Sequence, residues 1–236
     1  MVGVMQTFSS NNLLNRANII RQNRKNLKIE ISDRAELIVY APKDMKLDKI
    51  ESLLESKLKW IQSKLDLMSQ QYNKSKILLN YEQTFVCGEV YNIKPYSGSK
   101  VATQEKNLLV PQKYYDKNTQ ISAIKKWYKL LAQEIVLKRI EQLKNATKIA
   151  FKTVKIADFK AKWGSCDSKS NIKINWRIVM LPHATIDMVL LHELVHIIEF
   201  NHSKKFYDIL QKYMPNWKNH RKLLKDNNYL LKLYRG

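Results

Sequence analysis

The chain has 236 residues, 44% hydrophobic and 27% charged, ordinary values for a folded protein with length enough to bury a substantial core. No apolar run approaches the ~18 residues that a membrane span needs, and the most apolar region, 178–200, is broken by His183, Asp187, His192, Glu193, His196 and Glu199. Forty-two Lys and Arg against 21 Asp and Glu give a formal charge of +21, and the excess lies mostly after residue 110.

Residues 1–20 are polar, rich in Asn and Ser, and expected to carry little order. They lack a basic stretch ahead of an apolar run, so no secretory leader is expected. Leu27, Ile29 and Ile31 alternate, then Leu37 and Val39 follow Ala35, with Ser32-Asp33-Arg34 between the runs. That pattern predicts a β-hairpin ended by Pro42. Leu47, Ile50, Leu54, Leu58, Ile61 and Leu65 recur at spacings of three and four, predicting one amphipathic helix of about five turns. Residues 88–93 and 107–110 read as strands, with a turn at Ser97-Gly98-Ser99. A second amphipathic helix over 121–143 carries Ile124, Trp127, Leu131 and Ile135. Residues 152–159 and 171–180 are strand-like and flank a loop at 163–168. The expected class is α+β: a flexible 1–20, a β-rich region with one long helix over 21–118, a bridging helix over 119–146, and a small α+β catalytic unit over 147–236 built around the next helix.

That helix carries the chemistry. Residues 192–196 read His-Glu-Leu-Val-His. Positions i and i+4 share one helix face, so His192 and His196 can offer imidazoles to one metal ion. Glu193 lies about 100° round the helix, where a carboxylate reaches water beside the metal without being a ligand. Asp187 suits the positive end of the helix, and Met188, Leu191, Val195 and Ile198 form an apolar back. His202 follows six residues after His196, behind Asn201, a residue that tolerates the left-handed turn ending a helix. Three of the chain's five histidines thus fall in eleven residues. Three imidazoles and an open fourth position are the pattern of catalytic zinc, at one ion per chain. The third ligand has two candidates. His202 is preferred; Glu199 projects to the same face and serves either as ligand or as a partner orienting a histidine. The spacing equals that of the metzincins, but Glu199 stands where their turn glycine belongs.

The run Lys162-Trp163-Gly164-Ser165-Cys166, then Ile174-Asn175-Trp176-Arg177, the HELVH stretch, and Asn201-His202-Ser203 with Phe206 resemble the YgjP-like (WLM/SprT-related) family of zincin metallopeptidases. Weaker likenesses extend over roughly 20–225. The resemblance implies a zincin-like α+β unit, zinc held by His192, His196 and His202, and Glu193 as catalytic carboxylate. Two departures are visible: the family usually has Arg where Lys162 stands and Trp where Tyr207 follows Phe206. Lys162 keeps the charge but not the planar fork.

The expected activity is a zinc-dependent metallopeptidase-like hydrolase, in which Glu193 activates the zinc-bound water to cleave a peptide bond. Arg177, Tyr207, Tyr213 and His220 are candidate donors to the developing oxyanion. Trp163, Gly164, Ser165, Cys166 and Asn175 are candidates for the substrate cleft, although the plainer reading of Trp163 is a core aromatic and that of Cys166 a buried structural thiol. The strand over 171–180 is either an edge that pairs with an extended peptide or an interior strand. The partner expected is a peptide or protein. The basic surface leaves open a nucleotide phosphohydrolase, a protease brought to DNA, or a nucleic-acid-binding protein. Lysine outnumbers arginine 34 to 8, however, which AT-rich codon usage produces on any chain. Two cysteines, Cys87 and Cys166, cannot make a disulfide framework, so a cytoplasmic location is expected, with no membrane association.

Overall fold

A computed structural model describes residues 10–79, 82–114 and 116–234. The chain divides into two compact units that part between Lys74 and Ser75. The first unit holds α1 (Ser10–Arg16), β1 (Ala17–Gln22), β2 (Lys28–Ile31), β3 (Leu37–Pro42), α2 (Leu47–Glu55) and most of α3 (Leu58–Leu79). Its sheet has the order β1-β3-β2, with β1 parallel and β2 antiparallel to β3. The predicted hairpin is β2–β3, with Ile29 opposite Val39. Alternate residues Leu37, Val39 and Ala41 are buried in one cluster with Ile50, Leu54 and Ile61 of the helices.

Two expectations for this unit change. Residues 10–20, expected to lack order, lie in α1 and β1, because Leu13 is buried and Ile19 pairs in register with Val39; residues 1–9 lie outside the described residues. The single helix over 47–65 is two helices broken at Ser56-Lys57, where the Ser56 hydroxyl donates to the Leu53 carbonyl at 2.8 Å. The apolar spacing of three and four continues in phase across that break, so periodicity alone does not reveal it.

The second unit begins with β4 (Gln83–Val86), β5 (Glu89–Tyr96), β6 (Ala102–Gln104) and β7 (Asn107–Pro111), ordered β4-β5-β7-β6. Next comes α4 (Lys117–Thr147), whose first turn is capped by the Asp116 carboxylate accepting from the N–H groups of Asn118 and Thr119. Its buried residues, Ile124, Tyr128, Ala132, Val136 and Ile140, recur every four positions. A second sheet of β8 (Thr153–Ala157), β9 (Gly164–Cys166) and β10 (Asn171–Asn175) has the order β8-β10-β9. A 3-10 helix (Trp176–Met180), α5 (His183–Val195), α6 (Lys204–Tyr213), α7 (Trp217–Asp226) and a 3-10 helix (Asn228–Lys232) complete it.

The architecture is α+β, as the sequence indicates. Divisions at 118 and 146 do not mark separate cores, because Leu108 and Val110 of β7 share one buried cluster with α4, β10 and α5. The turn before β5 is tied to the segment that leads into α5: Cys87 N–H donates to the Val179 carbonyl at 2.7 Å and Gly88 N–H to that of Met180 at 3.1 Å. Gly88 has φ +86°, and a Cβ there would lie 2.6 Å from Cγ of Pro182, the residue that opens α5. No helix among the described residues is long and apolar enough to cross a membrane.

Candidate metal centre

Helix α5 is buried almost all round: Ile186, Met188, Val189, Leu190, Leu191, Leu194 and Val195 all lie in the core. Such a helix has no solvent face to slide along, so the directions of its polar residues are set by packing. Asp187 does not merely sit near a helix start; it takes a two-pronged ion pair from Arg139 of α4. After His196 the chain tightens, with Ile197 and Ile198 N–H groups bonding three residues back. Asn201 does not take the expected left-handed conformation. The turn is made by these short bonds and by Ser203, whose hydroxyl accepts from Phe206 N–H at 3.3 Å to start α6.

This path returns His202 to the two helical histidines. Nε2 of His192 lies 3.2 Å from that of His196 and 3.1 Å from that of His202. Two imidazoles on a tetrahedral zinc ion with bonds near 2.05 Å would be about 3.3 Å apart, nitrogen to nitrogen. Burial, reinforced by His196, His202 and Arg221, pushes the His192 pKa down to about 3, so this imidazole is neutral near pH 7. Three imidazoles whose ring nitrogens meet within 4.8 Å of one another make a donor set that fits a metal cation. Nδ1 of His196 lies 3.2 Å from the Glu199 carbonyl, which directs the lone pair of Nε2 inward. Phe206, fully buried, packs at centroid distances of 4.8, 4.7 and 4.8 Å from the rings of His192, His196 and His202. It is the common floor under all three.

Beside the triad a cleft of about 730 Å³ is lined by His192 and Glu193, by Lys162, Trp163 and Gly164, and by Tyr207 and α7. Glu193 is 5% exposed, and burial raises its pKa to about 7 against the lowering pull of Lys162. Gly164 faces it so closely that a Cβ would sit 2.5 Å from Oε1.

The remaining sequence candidates separate into cleft residues and supports. Strand β10 is central, which is the interior alternative, and β8 and β9 are the edges; the supposed loop at 163–168 contains β9, with Ser165 opposite Lys173. The 171–180 strand ends at Asn175 and continues as a 3-10 helix. Asn175 is buried away from the cleft, its Nδ2 donating to the carbonyls of Phe159 and Lys162 at 3.0 Å each. It thereby pins the segment bearing Lys162. Arg177, 1% exposed, does not line the cleft: Nη1 donates to Asp158 at 2.6 Å and Nε to the Leu233 carbonyl at 2.8 Å. Tyr213 donates to the Thr147 carbonyl, and His220 meets the Thr185 hydroxyl; neither reaches the cleft. The Glu199 carboxylate pairs with Lys205 at 3.7 Å and is not in the group able to hold a metal, which is His192, His196 and His202. Cys166 is a half-buried thiol whose pKa is pushed up to about 11 by burial, then by Glu193 and Asp167. Trp163 belongs to both core and cleft, its indole N–H donating to Asn228 at 2.8 Å. Phe206 as the floor of the triad was not foreseen as a functional residue; its buried place in the first turn after Ser203 is the signal that carried it.

No curated protein matches the chain. Among solved structures it is similar to the metallopeptidase zymogen abylysin of Pyrococcus abyssi, at 21% identity and a TM-score of 0.36, covering 43% of this chain and 97% of that one. The family model described as "YgjP-like, metallopeptidase domain" matches residues 25–227, a span that includes the triad and every residue lining its cleft except Asn228. The chain belongs to the YgjP-like metallopeptidase family.

Proposed function

We propose that the chain is a zinc-dependent peptidase in which His192, His196 and His202 hold one zinc ion and Glu193 is the catalytic acid–base. The observation that carries this is the meeting of three imidazole Nε2 atoms next to a buried carboxylate in an open cleft. When bound, zinc supplies Lewis acidity, making water more acidic and polarising a carbonyl. Glu193 supplies the proton traffic. A carboxyl group with a pKa raised to about 7 accepts a proton from water and returns it to a departing amine at neutral pH. Lys162, exposed at the cleft, keeps that carboxylate from becoming more basic still. Strand β9 pairs on one side only, with β10, and its free edge beside Glu193 offers main-chain groups to an extended peptide. Tyr207 is the cleft residue best suited to donate to the oxyanion.

The test is metal content by mass spectrometry and peptide hydrolysis on wild type, His202→Ala and Glu193→Gln purified together. Expected are about one zinc in wild type, zinc lost or weakened in His202→Ala, and zinc kept in Glu193→Gln with hydrolysis down by about 10²- to 10⁴-fold. Wild type that takes up no zinc sinks the proposal. Zinc-dependent release of phosphate from nucleotides, with no peptide cleaved, would replace it by a phosphohydrolase.

A further inference from the structure

Four cations of α7, namely Lys218, Arg221, Lys222 and Lys225, stand at i, i+3, i+4 and i+7, which places them in one stripe on the helix. All four are exposed, and all line the same cleft as His192 and Glu193; Lys162 joins them from the β8–β9 connection. None of the five forms an ion pair with a described carboxylate; the cations that do are elsewhere on the chain. Among the described residues Glu193 is the only acidic one lining the cleft, and it is sunk beside the metal ligands. Codon usage sets how many lysines a chain carries. It does not set that cations share one face of one helix beside the metal ligands with no acid to answer them.

Lys218–Lys222 and Arg221–Lys225 are like-charge pairs one turn apart, and the first turn holds no acidic residue; only Lys225, in the last turn, suits the negative pole of the helix. Like charges stacked along one face with so little local return point to a ligand. Arg221 is held over the rings of Tyr207 and Trp217, at 5.7 Å from each centroid, and Lys218 over Trp217 at 5.8 Å, so two of the cations are pre-positioned.

We propose that the cleft selects peptides with a short acidic segment next to the scissile bond, seated along the α7 stripe; this rests on the peptidase reading above. Lys218 to Lys225 spans about 10 Å of helix axis, which matches roughly three residues of extended chain. Met188, Val189, Leu210 and Leu224 line the same cleft and suit the methylene groups of glutamate. A stripe confined within a partly apolar cleft of about 730 Å³ fits a few peptide residues better than the continuous phosphate track of a nucleic acid.

The test uses the full chain, zinc-reconstituted, with Glu193→Gln so that bound peptides stay intact. Three fluorescein-labelled probes are compared by anisotropy: an octapeptide with a central Glu/Asp run, its Gln/Asn isostere, and a single-stranded oligonucleotide of the same charge as the first. The acidic peptide is expected to bind at least about tenfold tighter than the isostere. That preference should shrink with salt and vanish in Lys218→Glu/Lys222→Glu, and weaken in Lys218→Gln/Lys222→Gln, both checked for unchanged zinc content. Equal affinity for acidic and neutral peptides overturns the proposal, as does tighter binding of the oligonucleotide that the same substitutions abolish. Hydrolysis with Glu193 intact separates the two readings. Peptides cleaved without acidic preference sink the selectivity alone, whereas acidic peptides bound but never cleaved sink the peptidase reading and leave the selectivity standing.

Discussion

A Cβ built on Gly164 would lie 2.5 Å from Oε1 of Glu193 and 2.8 Å from both its Cδ and Cγ. The edge strand and the carboxylate therefore share a space that admits no side chain. The glycine is required here for close approach rather than for an unusual backbone angle. Gly164→Ala must displace either β9 or Glu193. A displacement near 1 Å at the reacting groups costs about 10²-fold in rate, so kcat/KM should fall by that order while zinc content stays at the wild-type value. Peptide hydrolysis and metal content measured on one preparation check this. An alanine variant within twofold of wild type would show that the carboxylate has room to move.

Tyr207 lies in the cleft with its ring stacked on Trp217, at 4.9 Å and 17°, and facing His202 at 6.2 Å and 27°. The packing fixes the ring at the cleft wall. Where this chain has tyrosine the resembling family usually has tryptophan, and both carry a single polar hydrogen on an aromatic frame. Tyr207→Phe is expected to lower kcat by about 10²-fold with KM and zinc content little changed. Tyr207→Trp should recover part of the loss. An unchanged kcat in the phenylalanine variant would remove Tyr207 from the chemistry.

The meeting of the three histidines was legible in the sequence because its geometry is local. A helix brings His192 and His196 together by itself, and His202 needs only one turn to rejoin them. Residues whose role depends on distant partners were not legible. Arg177 reads as a candidate oxyanion donor, yet its role is decided by Asp158, 19 residues away, and by the Leu233 carbonyl, 56 away. Strand order has the same character: nothing within 171–175 announces that β8 and β9 cover it on both sides. The break between α2 and α3 was hidden by a periodicity that the break preserves. The cations of α7 were visible as composition, but that they share the cleft with Glu193 is a fact of tertiary structure.

Acid should destabilise the zinc-free chain through its histidines. Burial first, and then His196, His202 and Arg221, pushes the His192 pKa down to about 3, from an ordinary value near 6.5. Between those values the unfolded chain binds a proton that the folded chain does not. Stability therefore rises with pH across that window and is lost as pH falls through it. Melting temperatures of the chelator-treated protein should drop between about pH 6.5 and 4.5, and His192→Gln should flatten the slope. Zinc should protect until protonation of the imidazoles releases it. If wild type and His192→Gln show the same slope, His192 does not govern it.

Asp158 separates structure from catalysis. Its partial burial would raise the carboxyl pKa, but bonds from Arg177, at 2.6 Å, and Lys125, at 3.0 Å, overcome this and hold it well below the usual range. A depressed carboxyl pKa contributes stability above its unfolded value, near 3.9, and loses it as pH falls toward the folded one. Asp158→Asn removes the charge that answers the buried Arg177 guanidinium. Asp158 is itself about a third exposed, so solvent screening reduces the cost to about 2 kcal/mol, a fall of roughly 4–8 °C in Tm for a unit of this size. Because Arg177 stands outside the cleft, kcat per zinc-loaded molecule should remain at the wild-type value. Thermal melts and active-site titration on the same sample decide the matter. A variant that melts normally but loses kcat would return Arg177 to the candidates for oxyanion donor, and its ion pair would then be a means of positioning it.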